Sequence, residues 1–323
     1  MSNKRLKLDR YLEDVSKVSG KDLPWGNLTG IRPTKIPMDC MEEGLSSGEI
    51  EKYMADRYFV SPRKAALATS IASLEKSILD SIPYKKGYSL YIGIPFCPSI
   101  CLYCSFSSSP LAVWKDRVDG YLDALIREME ASAGLFAGYE LQSVYIGGGT
   151  PTTLQPGQMD RLLGALERCF DLSSVREFTV EAGRPDTISA QKLQVLRDHG
   201  ISRISINPQT MNRRTLDIIG RKHTPEDTIR AYTLAREADV SCINMDIIAG
   251  LPGEGKEMVR NTLDGIMRLS PDNLTVHSLA IKRGSALKEL IGDPPGQVPG
   301  AKLPGNTMIG ENSKHIMDMV HSC

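Results

Sequence analysis

A chain of 323 residues with 39 basic and 39 acidic side chains has no net charge to draw it to nucleic acid or an anionic membrane. Apolar residues make up 41% and charged ones 24%, enough to build one large domain or two small ones. No apolar run approaches the ~20 residues that span a bilayer. The opening MSNKRLKLDRYLEDVSKV is charged and amphipathic, unlike a secretory leader, so a cytoplasmic location with reduced thiols is expected.

Residues 1–87 read as an N-terminal helical extension. LPWGNLTGIRPTKIP (23–37) is too rich in Pro and Gly for an element and is expected to be a loop packed on the main domain. SSGEIEKYMADRY offers a serine cap ahead of acidic residues, and SPRKAALATSIASLEKSILDS places Ser61 at a cap and Pro62 at the first helical position. From residue 88 the rhythm changes to short β-branched runs alternating with amphipathic stretches. The predicted strands are 89–95, 143–148, 177–182, 203–208, 242–249 and 273–280. The predicted helices are 116–134, 156–170, 189–199, 212–219, 226–239 and 255–269. Six β-α steps demand a parallel sheet with right-handed crossovers. The unusual residues cluster at the C-terminal ends of the predicted strands, as they do in barrels, which predicts an α/β fold with a partial (β/α)6 barrel over 88–290. Residues 291–323 read as a Pro/Gly-rich C-terminal tail, with a short helix near 311–320.

YIGIPFCPSICLYCSF (91–106) puts three of the seven cysteines in a C-x3-C-x2-C pattern: Cys97, Cys101 and Cys104. Structural zinc wants four closed ligands, usually as paired knuckles, and the five histidines stand far off in sequence. A redox dithiol would leave one cysteine idle. A four-iron, four-sulfur cluster normally takes four thiolates, so three leave one iron with an open position for a substrate or cofactor. Cys40, Cys169, Cys242 and Cys323 are scattered and read as structural or incidental.

This spacing, after a strand that opens a βα series, resembles the signature of the radical S-adenosylmethionine (SAM) superfamily. Further along, YIGGGTPT, TVEAGRPD, GISRISINPQTMNRRTLDIIGRKHT, NMDIIAGLPGE and TVHSLAIKRGS resemble the successive motifs of the oxygen-independent coproporphyrinogen III dehydrogenase family. LPWGNLTGIRPTKI is similar to the region that precedes the radical domain in that family's divergent, Firmicutes-type branch. The resemblance covers roughly 88–290 and is to a form shortened at both ends.

The resemblance implies that Cys97, Cys101 and Cys104 hold a 4Fe-4S cluster whose fourth iron is chelated by SAM. Reduction would cleave SAM to a 5′-deoxyadenosyl radical. It further implies SAM contacts from Gly148, Gly149 and Thr150, from Glu181 to the ribose, from Gln209, from Arg221 to a carboxylate, and from Asp246. Ala280 would lie against the adenine, and Tyr91 and Tyr103 would flank the cofactor. A carboxylate such as Asp246 inside a buried strand is expensive unless paired, which marks it even without the family. The implied activity is radical oxidoreductase chemistry on coproporphyrinogen III in haem biosynthesis, converting two propionates to vinyls. The alternatives in the same family are a haem-modifying or haem-degrading enzyme and a haem chaperone. A porphyrinogen or haem-type substrate and a flavodoxin- or ferredoxin-like donor are the implied partners, with Arg32, Lys35, Arg184 and Arg283 as candidate cations for the substrate's carboxylates. Gly93 stands where the coproporphyrinogen enzymes carry histidine, and Phe106 where they carry a fourth cysteine. The implied C-terminal domain would follow residue 290, where this sequence has its Pro/Gly-rich tail.

Overall fold

The computed structural model describes residues 23–28 and 30–290. The charged N-terminal stretch, the 291–323 tail with its short helix and Cys323 lie outside the described residues. The chain divides into two compact units on either side of Lys85 and Lys86.

The first unit is helical: α1 (Lys35–Glu42), α2 (Ser47–Tyr58) and α3 (Pro62–Asp80). Ser46 caps α2, and both its amide and its hydroxyl donate to the Glu49 carboxylate, at 2.9 and 2.6 Å. Ser61 and Pro62 start α3 as their types demand. The expected loop over 23–37 is shorter than predicted, because α1 begins at Lys35. Trp25 from that loop packs into this unit's own core, around Ile36, Ile50, Met54 and Ala65.

The second unit is built on a six-stranded sheet: β1 (Gly87–Ile94), β2 (Glu140–Gly148), β3 (Glu177–Ala182), β4 (Arg203–Gln209), β5 (Cys242–Ala249) and β6 (Asn273–Ser278). Strand order follows chain order and every pairing is parallel. The crossovers carry α4 (Val118–Ala133), α5 (Pro156–Cys169), α6 (Ala190–Asp198), α7 (Arg213–Ile218), α8 (Pro225–Glu237) and α9 (Lys256–Leu269). β1 and β2 begin earlier than their β-branched runs suggest, because Gly87 and Tyr88 pair with Glu140 and Leu141. β1 and β6 do not pair, so the barrel is partial, as predicted.

The register sorts the sheet into two faces of different chemistry. Ile92, Ile94, Val144, Ile146, Val180, Ile204, Ile206, Ile243, Met245 and Ile247 are buried beneath the helices, against residues such as Leu122, Leu162, Leu166, Leu193 and Ile266. The alternate positions carry Ser89, Tyr91, Tyr145, Thr179, Glu181, Ser205, Asn244, Asp246 and Thr275, aligned across the strands. That polar face is cross-linked: Asn244 Nδ2 donates to Ser205 Oγ at 2.8 Å and to Asp246 Oδ1 at 2.6 Å, and Thr275 Oγ1 donates to Asn244 Oδ1 at 3.0 Å.

His199 ties α6 to α5. Its Nδ1 lies 2.7 Å from Glu167 Oε1 and its Nε2 lies 3.1 Å from Asp160 Oδ1. Two carboxylate acceptors call for two N–H groups, so the geometry selects the imidazolium. Burial pulls its pKa down, but the two hydrogen bonds and their charges outweigh this and raise it.

Two outcomes follow for stability. Leu166 is fully buried and Leu135 is 77% exposed, so Leu166→Ala should cost about 2–5 kcal/mol in urea unfolding while Leu135→Ala stays within ~0.5 kcal/mol. The raised His199 pKa contributes stability that is fully present below about pH 6.5 and lost as pH rises through the folded value. The stability difference between wild type and His199→Gln should therefore shrink as pH rises above about 6.5, and a difference that grew with pH would refute the assignment.

Candidate functional site

The backbone leaving β1 runs against the backbone leaving β2. Gly149 N–H donates to Ile94 O at 2.7 Å and Thr150 N–H donates to Phe96 O at 2.8 Å. A Cβ on Gly149 would stand 2.7 Å from Phe96 O, and Gly148 adopts φ +109°, so this approach requires glycine at both positions. It fixes the start of the cysteine loop, whose other anchors are Leu102 N–H to Ile219 O at 3.0 Å, Leu287 N–H to Leu102 O at 2.8 Å and Ser99 Oγ to Gly220 O at 2.9 Å. Residues after β1 and after β6 thereby face one cleft of about 430 Å³ at the C-terminal ends of the strands.

Twelve of the thirteen predicted site residues line that cleft: Cys97, Cys101, Cys104, Tyr103, Gly148, Gly149, Thr150, Glu181, Gln209, Arg221, Asp246 and Ala280. Tyr91 does not. It is 61% exposed on the polar face of β1, with its ring stacked on Tyr145 at 5.8 Å, so it belongs to neither the cleft lining nor the core.

Cys101 is buried, and Cys97 and Cys104 are partly buried. Cys97 Sγ lies 3.6 Å from Thr150 Oγ1. Burial pushes the Cys97 and Cys104 thiols up, and the neighbouring cysteines add to it. Among the described residues no three Cys, His, Asp or Glu side chains converge as ligands of a single ion. A cluster spreads its thiolates over separate irons, so it asks for no such convergence.

Glu181 accepts from the Tyr145 hydroxyl at 2.6 Å and from the Gly148 amide, while burial raises its pKa. Gln209 ends β4 at φ +67°, where the ladder to β5 slips, and its buried Oε1 has no partner. Arg221 is 6% exposed; its Nη1 donates to the carbonyls of Gly183 (3.2 Å) and Asn207, and its Nε is buried without a partner. Asp246 is held by Asn244 and stands 3.8 Å from His277 Nε2, the pairing that its place in a strand demands. His223, behind Arg221, is fully buried and its pKa is pushed down to about 4, first by burial and then by the Arg221 charge.

The candidate substrate cations divide. Arg184 is 2% exposed, at the cleft lining beside the cysteine loop. Arg283 is exposed beyond β6, and Lys282 beside it lines the cleft. Arg32, which pairs with Glu75 at 3.8 Å, and Lys35 are exposed in the helical unit. The residues missed in the sequence are Tyr145, Asn207 and His277. Tyr145 and Asn207 sit two positions from Gly147 and Gln209 on their strands, so the period of two carried the signal there; His277 has no such neighbour.

The Radical SAM superfamily profile matches residues 91–266. The chain is 40% identical over 281 residues, 86% of its length, to the Bacillus subtilis oxygen-independent coproporphyrinogen-III oxidase-like protein HemZ, of which it covers 56%. It is 36% identical over 195 residues, 60% of its length, to the B. subtilis heme chaperone HemW, of which it covers 51%. The solved Escherichia coli coproporphyrinogen III oxidase HemN, described as a radical SAM enzyme, superposes with a TM-score of 0.63 at 29% identity, covering 73% of this chain and 53% of that one. The chain thus spans about half the length of the curated relatives it matches. With its three cysteines, glycine strand end and parallel partial barrel, the chain belongs to the radical SAM superfamily, whose members use a 4Fe-4S cluster and SAM, and within it is homologous to the coproporphyrinogen-III oxidase-like proteins.

Proposed function

We propose that the chain is a radical SAM enzyme that oxidatively decarboxylates the propionates of a porphyrinogen, with coproporphyrinogen III as substrate. The observation that carries this reading is the convergence of Cys97, Cys101 and Cys104 with Glu181, Gln209, Arg221 and Asp246 on one cleft. The residues fit the cofactors. Three sulfur donors leave one cluster position open, and Gln209 Oε1 and Arg221 Nε are buried polar atoms at the cleft that lack a partner within the chain. When bound, cluster and SAM supply a reductively generated carbon radical that removes a hydrogen atom from substrate.

The chain's own groups bind, orient and exclude water. Glu181, with one oxygen bonded to Tyr145, accepts from ribose hydroxyls with the other. Arg221, already fixed by two backbone carbonyls, presents its charge to a carboxylate without paying to be ordered. Gln209 accepts from an ammonium, and Asp246, anchored by Asn244, holds a further donor. Tyr103 and Ile248 close the apolar side of the cleft. Phe106, 75% exposed, and Lys282 stand at its lining, where they suit the ring and a carboxylate of a tetrapyrrole. The net change is loss of a hydrogen atom and carbon dioxide from each of two propionates, with one electron per propionate passing to an external one-electron acceptor. The electrons at the cluster come from a flavodoxin- or ferredoxin-like donor.

The similarity to a heme chaperone, together with Phe106 in place of a fourth cysteine and Gly93 in place of histidine, favours a haem chaperone as the second reading.

Anaerobic reconstitution should give about four irons per chain, and dithionite with SAM should yield 5′-deoxyadenosine. Cys101→Ala should lose both the cluster absorbance and SAM cleavage, and a variant that keeps them would refute the cluster assignment. Coproporphyrinogen III with SAM and reductant should release carbon dioxide and give a divinyl product on chromatography. Stoichiometric haem binding without decarboxylation would instead establish the chaperone reading.

A further inference from the structure

Arg184 follows β3 in the turn Gly183–Arg184–Pro185–Asp186, at the cleft lining and against the cysteine loop. Its side chain is 2% exposed. Nη1 lies 3.1 Å from Ser99 Oγ, 3.5 Å from Ser99 O and 3.9 Å from Cys101 Sγ. Nε pairs with Asp186 Oδ1 at 3.3 Å, and Nη2 is buried with no partner. A guanidinium is always charged, and burying it is costly unless negative charge stands close by. Asp186 supplies one carboxylate, itself 28% exposed and so partly screened. The other edge of the fork faces the cysteine loop. A neutral thiol at Cys101 is a weak acceptor, whereas a thiolate makes the contact charge-assisted. The surroundings of Arg184 are therefore built for an anionic sulfur at position 101.

We propose that Arg184 sets the reduction potential of the cluster, acting through Cys101. The inference rests on the reading of the three cysteines as cluster ligands. One-electron reduction adds one negative charge to the cluster and breaks no bond. A fixed cation at a ligand sulfur favours the reduced form over the oxidised one and moves the potential upward. Asp186 opposes this by neutralising part of the Arg184 charge. The pair thus places a positive and a negative lever within one turn, and their removal has opposite signs. Arg184 acts here through Cys101, so its role in this proposal is that of a tuning residue.

The test is a dithionite titration followed by electron paramagnetic resonance, on the reconstituted 323-residue chain without SAM or substrate. Arg184→Met should move the midpoint to more negative potential, and Arg184→Lys should move it less in the same direction. Asp186→Asn should move it to more positive potential. A wild-type midpoint in Arg184→Met overturns the proposal. If Arg184→Met takes up no iron, Asp186→Asn decides, and an unmoved or more negative midpoint there overturns it. Failure of the wild type to hold a cluster would overturn both this inference and the functional reading. A cluster that forms and cleaves SAM, but whose midpoint ignores both residues, overturns this inference and leaves that reading standing.

Discussion

The site depends on the approach of two peptide backbones. Where β1 and β2 end, Ile94–Phe96 and Gly148–Thr150 lie so close that their amides and carbonyls bond directly, at 2.7 and 2.8 Å. The chain leaving β1 is turned over the strand ends, and Cys97 begins immediately after the last of these bonds. Cys101 and Cys104 are then carried by a loop pinned at Ile219, just past α7, and at Leu287, in the short helix Ala286–Leu290 that follows β6. Three thiols from eight residues of sequence thus acquire anchors from across the whole sheet. The glycines are a requirement of this approach before they are a requirement of any ligand, because Phe96 O already occupies the place of a Cβ on Gly149.

The second constraint is the use of both faces of the sheet. Period-two alternation buries isoleucines and valines beneath the helices, and the same alternation points Ser, Thr, Asn, Glu and Asp the other way. Such a polar interior is tolerable because most of its members bond to one another, from Thr275 through Asn244 to Ser205 and Asp246. Around the cleft that completeness fails. Gln209 Oε1, Arg184 Nη2 and Arg221 Nε are buried without partners, within a few residues of the strand ends. Unsatisfied buried groups are rare in folded proteins, and those that face the cleft fit a place where other molecules complete the bonding.

Much of this was legible in the sequence because it depends on spacing. The six βα steps predict a parallel sheet, and the strand-end position of the motifs predicts a partial barrel. What periodicity does not carry is side-chain direction in irregular backbone. Arg184 and Arg283 look alike as letters after strands, yet one is buried against the cysteine loop at the cleft and the other exposed. Tyr91 shares a strand with Gly93 but meets Tyr145 instead of the cleft. The left-handed conformation of Gln209 arises from a slip in the β4–β5 ladder, a tertiary event that no local propensity for glutamine announces. The helix from Lys35 was hidden by the prolines around it, one of which sits inside its first turn, where proline is tolerated.

Two glycines side by side in the register show how structure separates necessity from choice. A Cβ on Gly147 would meet the Tyr145 ring at 2.6 Å and Glu181 Oε2 at 3.1 Å, so any side chain there would dislodge the tyrosine that orients Glu181. Its neighbour Gly93 is different. A Cβ there would meet only the edge of Tyr91, at 3.7 Å, which is ordinary contact. Its carbonyl accepts from Tyr121 at 2.5 Å, a bond that any residue type could make. Packing therefore does not demand glycine at 93, whereas it does at 147. The bare strip of strand beside Tyr91 is then a feature of what the polar face accommodates. A histidine at that position would fill space that this chain leaves open, next to the stacked tyrosines and Glu181. Differences in substrate within the family are to be sought on this face, because the cysteine loop and its anchors leave no comparable freedom.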